Sequence, residues 1–226
     1  MGQKMAQGTG FTARQKQFLA VVLQTQYILK RFYLTGGTAL SCFYLHHRES
    51  FDLDFFSEEK EVNSSYLIRW LSSIKKNLDF TSITHEEQFG FNFFILTFSN
   101  KDKLKVDFSY FPSERIEKGI VWHGLQIDSL YDIAVNKFHT IGTSPRGRDY
   151  LDLYMILQKN NYSLEKIRRD AVVKHGVSIE TIQLSRQFLR VVEFEDLPKI
   201  LVPFNPKDMQ KFFLYQAKKL KKEILK

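Results

Sequence analysis

YLTGGTALSCFYLHHRESFDLDFF, residues Tyr33–Phe56, joins a glycine turn to a pair of aspartates through a segment of helix length. Phe32, Tyr33 and Leu34 read as a short strand. Gly36-Gly37 follows, and without a Cβ the backbone there turns sharply at positive φ. Thr38 opens the segment from Thr38 to His47, so that the amides of the turn and of the helix start face an anion. Phe51 to Phe56 reads as a second strand, with Asp52 and Asp54 on one face and Leu53 and Phe55 on the other. Two neighbouring carboxylates in an apolar strand repel each other and lose hydration. A hard divalent cation with oxygen ligands, Mg²⁺ above all, relieves both costs and suits such a pair together with substrate phosphates. A glycine turn for phosphate followed by Asp-x-Asp for metal therefore outlines a nucleoside triphosphate site. Either half alone is commonplace, a plain turn or a solvated strand edge, and the ordered combination carries the reading.

Bulk properties set the limits. The chain has 226 residues, 43% of them hydrophobic and 15% aromatic, which excludes a disordered class and suffices for one large domain or two small ones. Phenylalanine occurs 21 times, so an aromatic core is expected. No apolar run reaches the length of a membrane span, and MGQKMAQGTG lacks the apolar centre of a signal peptide. The single cysteine, Cys42, excludes an internal disulfide, fits a reducing cytoplasm and is expected to be a small buried residue. Lys and Arg number 33 against 25 Asp and Glu, a net charge of +8. That excess is compatible with a nucleic-acid partner and equally with plain solubility.

Around the central stretch, residues 1 to 10 read as a loose arm, and Thr12 as the cap of a helix reaching about Arg31. Asn63 or Ser64 starts a helix with Tyr66, Leu67, Trp70, Leu71, Ile74 and Leu78 at helical spacing. Phe91 to Phe98 reads as a strand, Asn100-Lys101-Asp102 as a turn, and Leu104 to Phe111 as the returning partner. Asp107 is a charged residue in that apolar strand, with Val106 and Phe108 on the core face. Gly119 to Ile127 reads as a short hairpin around His123-Gly124. Ser129 begins a helix with Asp132 at the capping-box position and Lys137 further along. Pro145-Arg146-Gly147 breaks the chain before a helix opened by Arg148, Asp149 and Asp152. From Ser163 the chain reads as helical: Ser163 to His175, Ser178 to Val192, and a lysine-rich helix after Pro206. The six histidines show no zinc spacing, and no Walker loop, nucleophile elbow or dinucleotide fingerprint is present.

GGTAL, then HHRES, then DLDFF resembles the AbiEii/AbiGii-type toxin nucleotidyltransferases, a branch of the DNA polymerase β nucleotidyltransferase superfamily. The spacing from Gly37 to Asp52 is a little longer than the superfamily's. The resemblance covers Tyr33 to Phe56 and extends in part to Asp107 to Leu157. It implies that Asp107 is a third carboxylate beside Asp52 and Asp54, the alternative being an ordinary edge-strand aspartate. It implies that Lys137 reaches the triphosphate, where a mobile ammonium suits a departing pyrophosphate, rather than lying solvated on its helix. It implies that Asp149, in preference to Asp152, completes the polar network of the site. Arg48, within the His-Arg-x-Ser pattern, either approaches phosphate or pairs with acidic neighbours.

These readings predict an α+β fold: a mixed, mostly antiparallel sheet flanked by helices, with a helical C-terminal half. Residues 1–128 are expected as the catalytic core and 129–226 as a helical region that completes the active site. The expected chemistry is transfer of a nucleoside monophosphate, with Asp52, Asp54 and Asp107 holding two Mg²⁺ ions. Gly36, Gly37 and Thr38 are expected to cradle phosphates, with Arg48 and Lys137 contacting them. The resemblance further implies a toxin of a type IV-like toxin–antitoxin pair, or of an abortive-infection system, that adds nucleotides to tRNA 3′ ends and has a cognate antitoxin encoded nearby. Protein side chains and small molecules are alternative acceptors, and a non-catalytic nucleotide- or RNA-binding module is the alternative of another class.

Overall fold

A computed structural model of the protein describes residues 8–59 and 62–224. Residues 1–7 of the expected N-terminal arm lie outside the described residues. The chain divides into two compact units. The first gathers the chain up to Tyr44 with Ser50–Glu114 and Lys118–Ser129; the second gathers Leu45–Glu49, Arg115–Glu117 and everything from Leu130 onward.

Among the described residues of the first unit, seven strands make one mixed sheet. They are β1 (Tyr33–Thr35), β2 (Leu53–Ser57), β3 (Phe80–Gln88), β4 (Phe91–Phe98), β5 (Lys103–Tyr110), β6 (Ile120–Trp122) and β7 (Leu125–Ile127). Their order across the sheet is β3-β4-β5-β2-β1-β7-β6. The pairs β1–β7 and β2–β5 are parallel and the other neighbours antiparallel, as the mostly antiparallel mixed sheet requires. Strict alternation sorts the faces. Leu53, Phe55, Phe94, Leu96, Val106 and Phe108 are buried on one face, against Phe18 of helix α1 (Ala13–Val22) and Trp70 of the later helix Ser64–Leu78. Phe108 stands at the centre of this aromatic core. It stacks on Phe55 at 4.9 Å and meets Phe32, Trp70 and Phe94 edge-on. Cys42 is buried, as expected.

The elements depart from expectation at four places, each for a local reason. The helix capped by Thr12 ends at Val22, and α2 (Gln26–Arg31) restarts it. Tight backbone bonds from Gln24 and Thr25 to Val21 and Val22 close the first helix, and Trp70 Nε1 donates to Thr25 Oγ1 at 3.2 Å. The helical segment starts two residues earlier than Thr38, at the first glycine, as α3 (Gly36–Ala39), and continues as a π-helical turn over Leu40–Leu45. A π turn bonds i to i+5 and so winds more residues into the same length, which accommodates the long spacing between glycines and aspartates. The second strand begins at Leu53: Phe51 is 58% exposed, and the Asp52 carbonyl is taken by the Thr38 hydroxyl instead of a strand neighbour. Strand β3 was not foreseen. The helix expected at Asn63 or Ser64 is present as α4 (Ser64–Leu78), with the Asn63 side chain accepting from the Tyr66 amide.

The described helices of the second unit are α5 (Leu130–Thr143), α6 (Gly147–Lys159), α7 (Leu164–His175), α8 (Thr181–Leu189) and α9 (Pro206–Ile224). Tyr150, Phe188 and Phe213 form their aromatic centre, with ring centroids 5.0–5.4 Å apart along the chain of contacts. Ion pairs are buried there too: Lys174 Nζ lies 2.6 Å from Asp132 Oδ1, and the same carboxylate accepts the amides of Ile116 and Glu117. Among the described residues, no helix is long and apolar enough to cross a membrane.

Candidate active site

The acidic face of the first sheet is built by register. Asp54 on β2 lies directly across from Asp107 on parallel β5 and, on its other side, from Thr35 on antiparallel β1. Residues directly opposite point the same way and neighbouring strands are about 4.8 Å apart, so the two carboxylates share a face. Asp52, two residues before Asp54, leads into the strand with its carbonyl held by Thr38, whose hydroxyl also lies 3.0 Å from Ser50 Oγ. The glycine corner sits against the same spot. Gly36 has φ +72°, and a Cβ placed on it would stand 2.1 Å from Asp54 Oδ2. Only glycine permits both that backbone and that approach. The end of β1 is fixed from its other side, where Thr35 Oγ1 donates to buried Asp128 Oδ2 at 2.6 Å.

Asp107 is the buried member, 6% exposed. Its Oδ2 accepts from Lys105 Nζ at 2.7 Å, while its buried Oδ1 has no hydrogen-bond partner among the described residues. Burial pushes its carboxyl up to about 6; the Lys105 hydrogen bond and charge oppose that rise, and the charges of Asp54 and Asp52 add to it. For Lys105, burial works against the ammonium, yet the bond to Asp107 and the fields of Asp107, Asp52 and Asp54 prevail and raise its pKa. The lysine thus serves as a local counter-charge for the acidic face. Among the described residues, no three His, Cys, Asp or Glu side chains already converge as a metal cage. The donor chemistry nonetheless suits a hard cation: carboxylate oxygens on one face, one of them buried without a partner.

Lys137, Asp149 and Arg48 meet in the second unit around a residue the sequence reading ranked lower, Asp152. Lys137 Nζ lies 2.7 Å from Asp149 Oδ1 and 2.8 Å from Asp152 Oδ2. Arg48 grips Asp152 with two nitrogens, Nε to Oδ1 at 2.6 Å and Nη2 to Oδ2 at 2.8 Å, and His47 Nε2 lies 2.8 Å from Oδ1. Of the two roles open to Arg48, the structure therefore displays pairing with an acidic neighbour: the residue is 3% exposed and its guanidinium is oriented by Asp152. Asp149, at the start of α6, also accepts from the Arg146 amide and Nε, both at 3.1 Å. Burial alone would raise both carboxyls. The Lys137 and Arg146 charges hold Asp149 below its ordinary value, and Lys137 and Arg48 hold Asp152 well below. The lysine's ammonium carries three donors, two of which these carboxylates take.

Sequence reasoning missed Lys105 and underrated Asp152. A lysine two residues before an aspartate on a strand shares its face, a signal that was available. Asp152 gave only a weak signal, since its partners Arg48 and His47 are far upstream.

Comparison with known proteins follows the same lines. The family model for the nucleotidyl transferase AbiEii toxin of type IV toxin–antitoxin systems matches residues 17–219. An uncharacterized protein of Aquifex aeolicus is 28% identical over 179 residues, 75% of this chain and 76% of that one. Among solved structures, JHP933 of Helicobacter pylori superposes with a TM-score of 0.57 at 16% identity, over 94% of each chain. MenT4, a nucleotidyltransferase toxin from Mycobacterium tuberculosis, gives 0.54 at 14% identity, over 92% of this chain and 84% of that one. At such identities the two structures speak for the shared fold.

Proposed function

Because this chain belongs to the AbiEii nucleotidyltransferase toxin family of type IV toxin–antitoxin systems, we propose that it transfers a nucleoside monophosphate from an NTP to the 3′ end of tRNA, with Asp52, Asp54 and Asp107 holding two Mg²⁺ ions. The observation that carries the metal assignment is the register of Asp54 with Asp107, beside a Gly36 corner that no other residue could form and with Asp107 Oδ1 left unpartnered. Bound there, the cation supplies activation of the attacking hydroxyl and neutralisation of the leaving pyrophosphate. The chain's own part is placement. Gly36 keeps Asp54 in position, Thr38 holds the Asp52 backbone, and the Gly36-Gly37-Thr38 amides receive phosphate. Lys105 covers the acidic face until a cation replaces it. Lys137 contributes a phosphate contact, its ammonium oriented by Asp149 and Asp152. Arg48 acts as the buried clamp on Asp152, a positioning residue for Lys137 rather than a phosphate ligand. In the cell the reading places the enzyme in the cytoplasm with a cognate antitoxin.

The test is transfer of label from each NTP to total RNA, to protein and to small acceptors. The expected product is lengthened tRNA, and Asp54→Asn is expected to remove transfer by at least ~10³-fold while its melting curve stays cooperative. Label on protein instead of RNA would replace the acceptor; full transfer by the asparagine variant would remove the site.

A further inference from the structure

The face of the sheet that carries Asp54 and Asp107 also carries a line of aromatic rings that the transfer chemistry does not use. Phe91 and Phe93 alternate down β4, Phe93 directly across from Asp107, and Phe89 stands in the turn that leads into the strand. Phe91 and Phe93 are half-exposed, with rings nearly parallel (8°) and centroids 6.2 Å apart. Phe89, at the tip, is 90% exposed. Its backbone is strained as well: Gln88 pairs with Phe91, and Phe89 (φ +51°) and Gly90 (φ +80°) form a two-residue turn with both central residues left-handed. Such turns favour Asn-Gly or Asp-Gly, and a bulky side chain at positive φ is an outlier. A fully exposed phenylalanine kept in that conformation contributes neither burial nor local fit. A cation stands at the Asp107 end of the line: Lys105 Nζ lies 5.3 Å from the Phe93 ring centroid, and exposed Lys103, across from Thr97, lies further on beyond Phe93. On the other side, Glu86 and Gln88 of β3 lie across from Phe93 and Phe91 and offer an acceptor and an amide.

We infer that Phe89, Phe91 and Phe93 form a stacking track for the unpaired bases of a single-stranded RNA acceptor, leading its 3′ end toward Asp107. Aromatic faces in series with neighbouring cations are the means by which proteins hold single strands without reading a duplex. For Phe91 and Phe93 the spacing supports one ring per base, since alternate residues on a strand lie about 6.7 Å apart and face the same side, and Phe89 adds a ring at the turn. Lys105 meets a backbone phosphate at the Asp107 end of the track, while Glu86 and Gln88 meet base edges. The inference rests on the nucleotidyl-transfer reading for the kind of ligand and for the direction of the strand, and adds where the acceptor lies.

Binding of a short, unstructured, fluorescently labelled ribo-oligomer, followed by anisotropy with a chelator and without NTP, tests the track apart from the chemistry. The measurement needs neither metal nor nucleotide, so a failure of the transfer reading leaves it intact. The Phe91→Leu/Phe93→Leu double variant is expected to lose roughly tenfold or more in affinity, and Phe93→Tyr, which keeps a ring, to retain it. Phe89→Asn, which suits the turn, is expected to melt at a higher temperature and yet bind the oligomer several-fold more weakly, a split that a purely structural role does not produce. A double leucine variant with wild-type affinity, a duplex hairpin competing as well as the single strand, or a wild-type protein that binds no oligomer would each overturn the track.

Discussion

Replacing Gly36 by alanine separates two effects that the glycine combines. The first is backbone: at φ +72° a Cβ costs about 1–2 kcal/mol. For a chain of this size, each kcal/mol lowers the melting temperature by about 2–4 °C, so a loss of about 2–8 °C is expected. The second is displacement: the new Cβ would lie 2.1 Å from Asp54 Oδ2, and the carboxylate must withdraw by about 1 Å or more to reach ordinary contact. A reacting group misplaced by ~1 Å costs on the order of 10²-fold in rate. Gly176→Ala provides the control, since Gly176 has φ +65° and nothing within 4 Å of an added Cβ. The control shares the strain and lacks the clash. Melting curves and labelled transfer are to be measured on both. Similar losses of stability are expected, with transfer falling about 100-fold in Gly36→Ala alone. Transfer within about threefold of wild type in a folded Gly36→Ala protein would refute the argument that the corner exists to place Asp54.

Asp152→Asn strips the carboxylate from buried Arg48, His47 and Lys137 and is expected to cost about 3–5 kcal/mol in urea unfolding; a loss below about 1 kcal/mol would show the network to be dispensable. Lys105→Gln removes the cation now held by Asp107, and titration calorimetry with Mn²⁺ in the absence of nucleotide is expected to register several-fold tighter binding. Unchanged or weaker binding would show that the lysine and the metal do not compete. His175 stacks on His139 at 3.8 Å, and burial, followed by the His139 and Lys174 charges, lowers its pKa from 6.5 to about 4. Below pH 6.5 the unfolded chain takes up a proton that the folded chain refuses, so this contribution to stability is complete above about 6.5 and is lost as the pH falls through about 4. His175→Gln is expected to flatten that part of the stability–pH curve, and an unchanged slope would count against the assignment.

What the chain reveals in advance depends on how local the cause is. β4 carries aromatic and β-branched residues at strict alternation and ends at a turn, and its limits, Phe91–Phe98, are those read from the residues. β3 escaped because its side chains are polar and mostly exposed on both faces; as the outermost strand it needs no apolar side, and charges such as Glu86 and Glu87 suit an edge. The break between α1 and α2 carries neither Gly nor Pro; tight backbone bonds from Gln24 and Thr25 close α1 there, and Trp70 bonds to Thr25 from a distant helix. The π turn over Leu40–Leu45 leaves composition and apolarity unchanged, so only the spacing hinted at it. At the candidate site, strand period alone suggested a shared face for Asp52 and Asp54, but β2 begins at Leu53 and Asp52 precedes it, its carbonyl held by Thr38. That Asp107 lies beside them follows from parallel pairing of β2 with β5, strands separated by two others in the chain, and only family resemblance anticipated it. Asp152 is the opposite case: its meaning lies in Arg48 and His47, more than a hundred residues upstream, and no local pattern announces such a pairing.

The two acidic groupings are distinguished by what burial does to them. In the second unit, Asp149 and Asp152 are fully buried, yet their carboxyls are held below the ordinary range because Lys137, Arg48 and Arg146 more than compensate for lost hydration. A network satisfied to that degree gains nothing from a further cation, and its role is to hold Lys137 and α6 in one arrangement. Asp107 is also buried and has a lysine partner, but there the balance goes the other way: the charges of Asp54 and Asp52 add to desolvation, the carboxyl rises to about 6, and one oxygen has no donor among the described residues. A fold that keeps such a residue carries a standing cost that a single ammonium does not offset. A divalent ion, with twice the charge and several coordination positions, does. The electrostatics therefore differ between the two sets of aspartates: under the proposed function a cation would relieve Asp107 with Asp54 and Asp52, while Asp149 and Asp152 already hold Lys137.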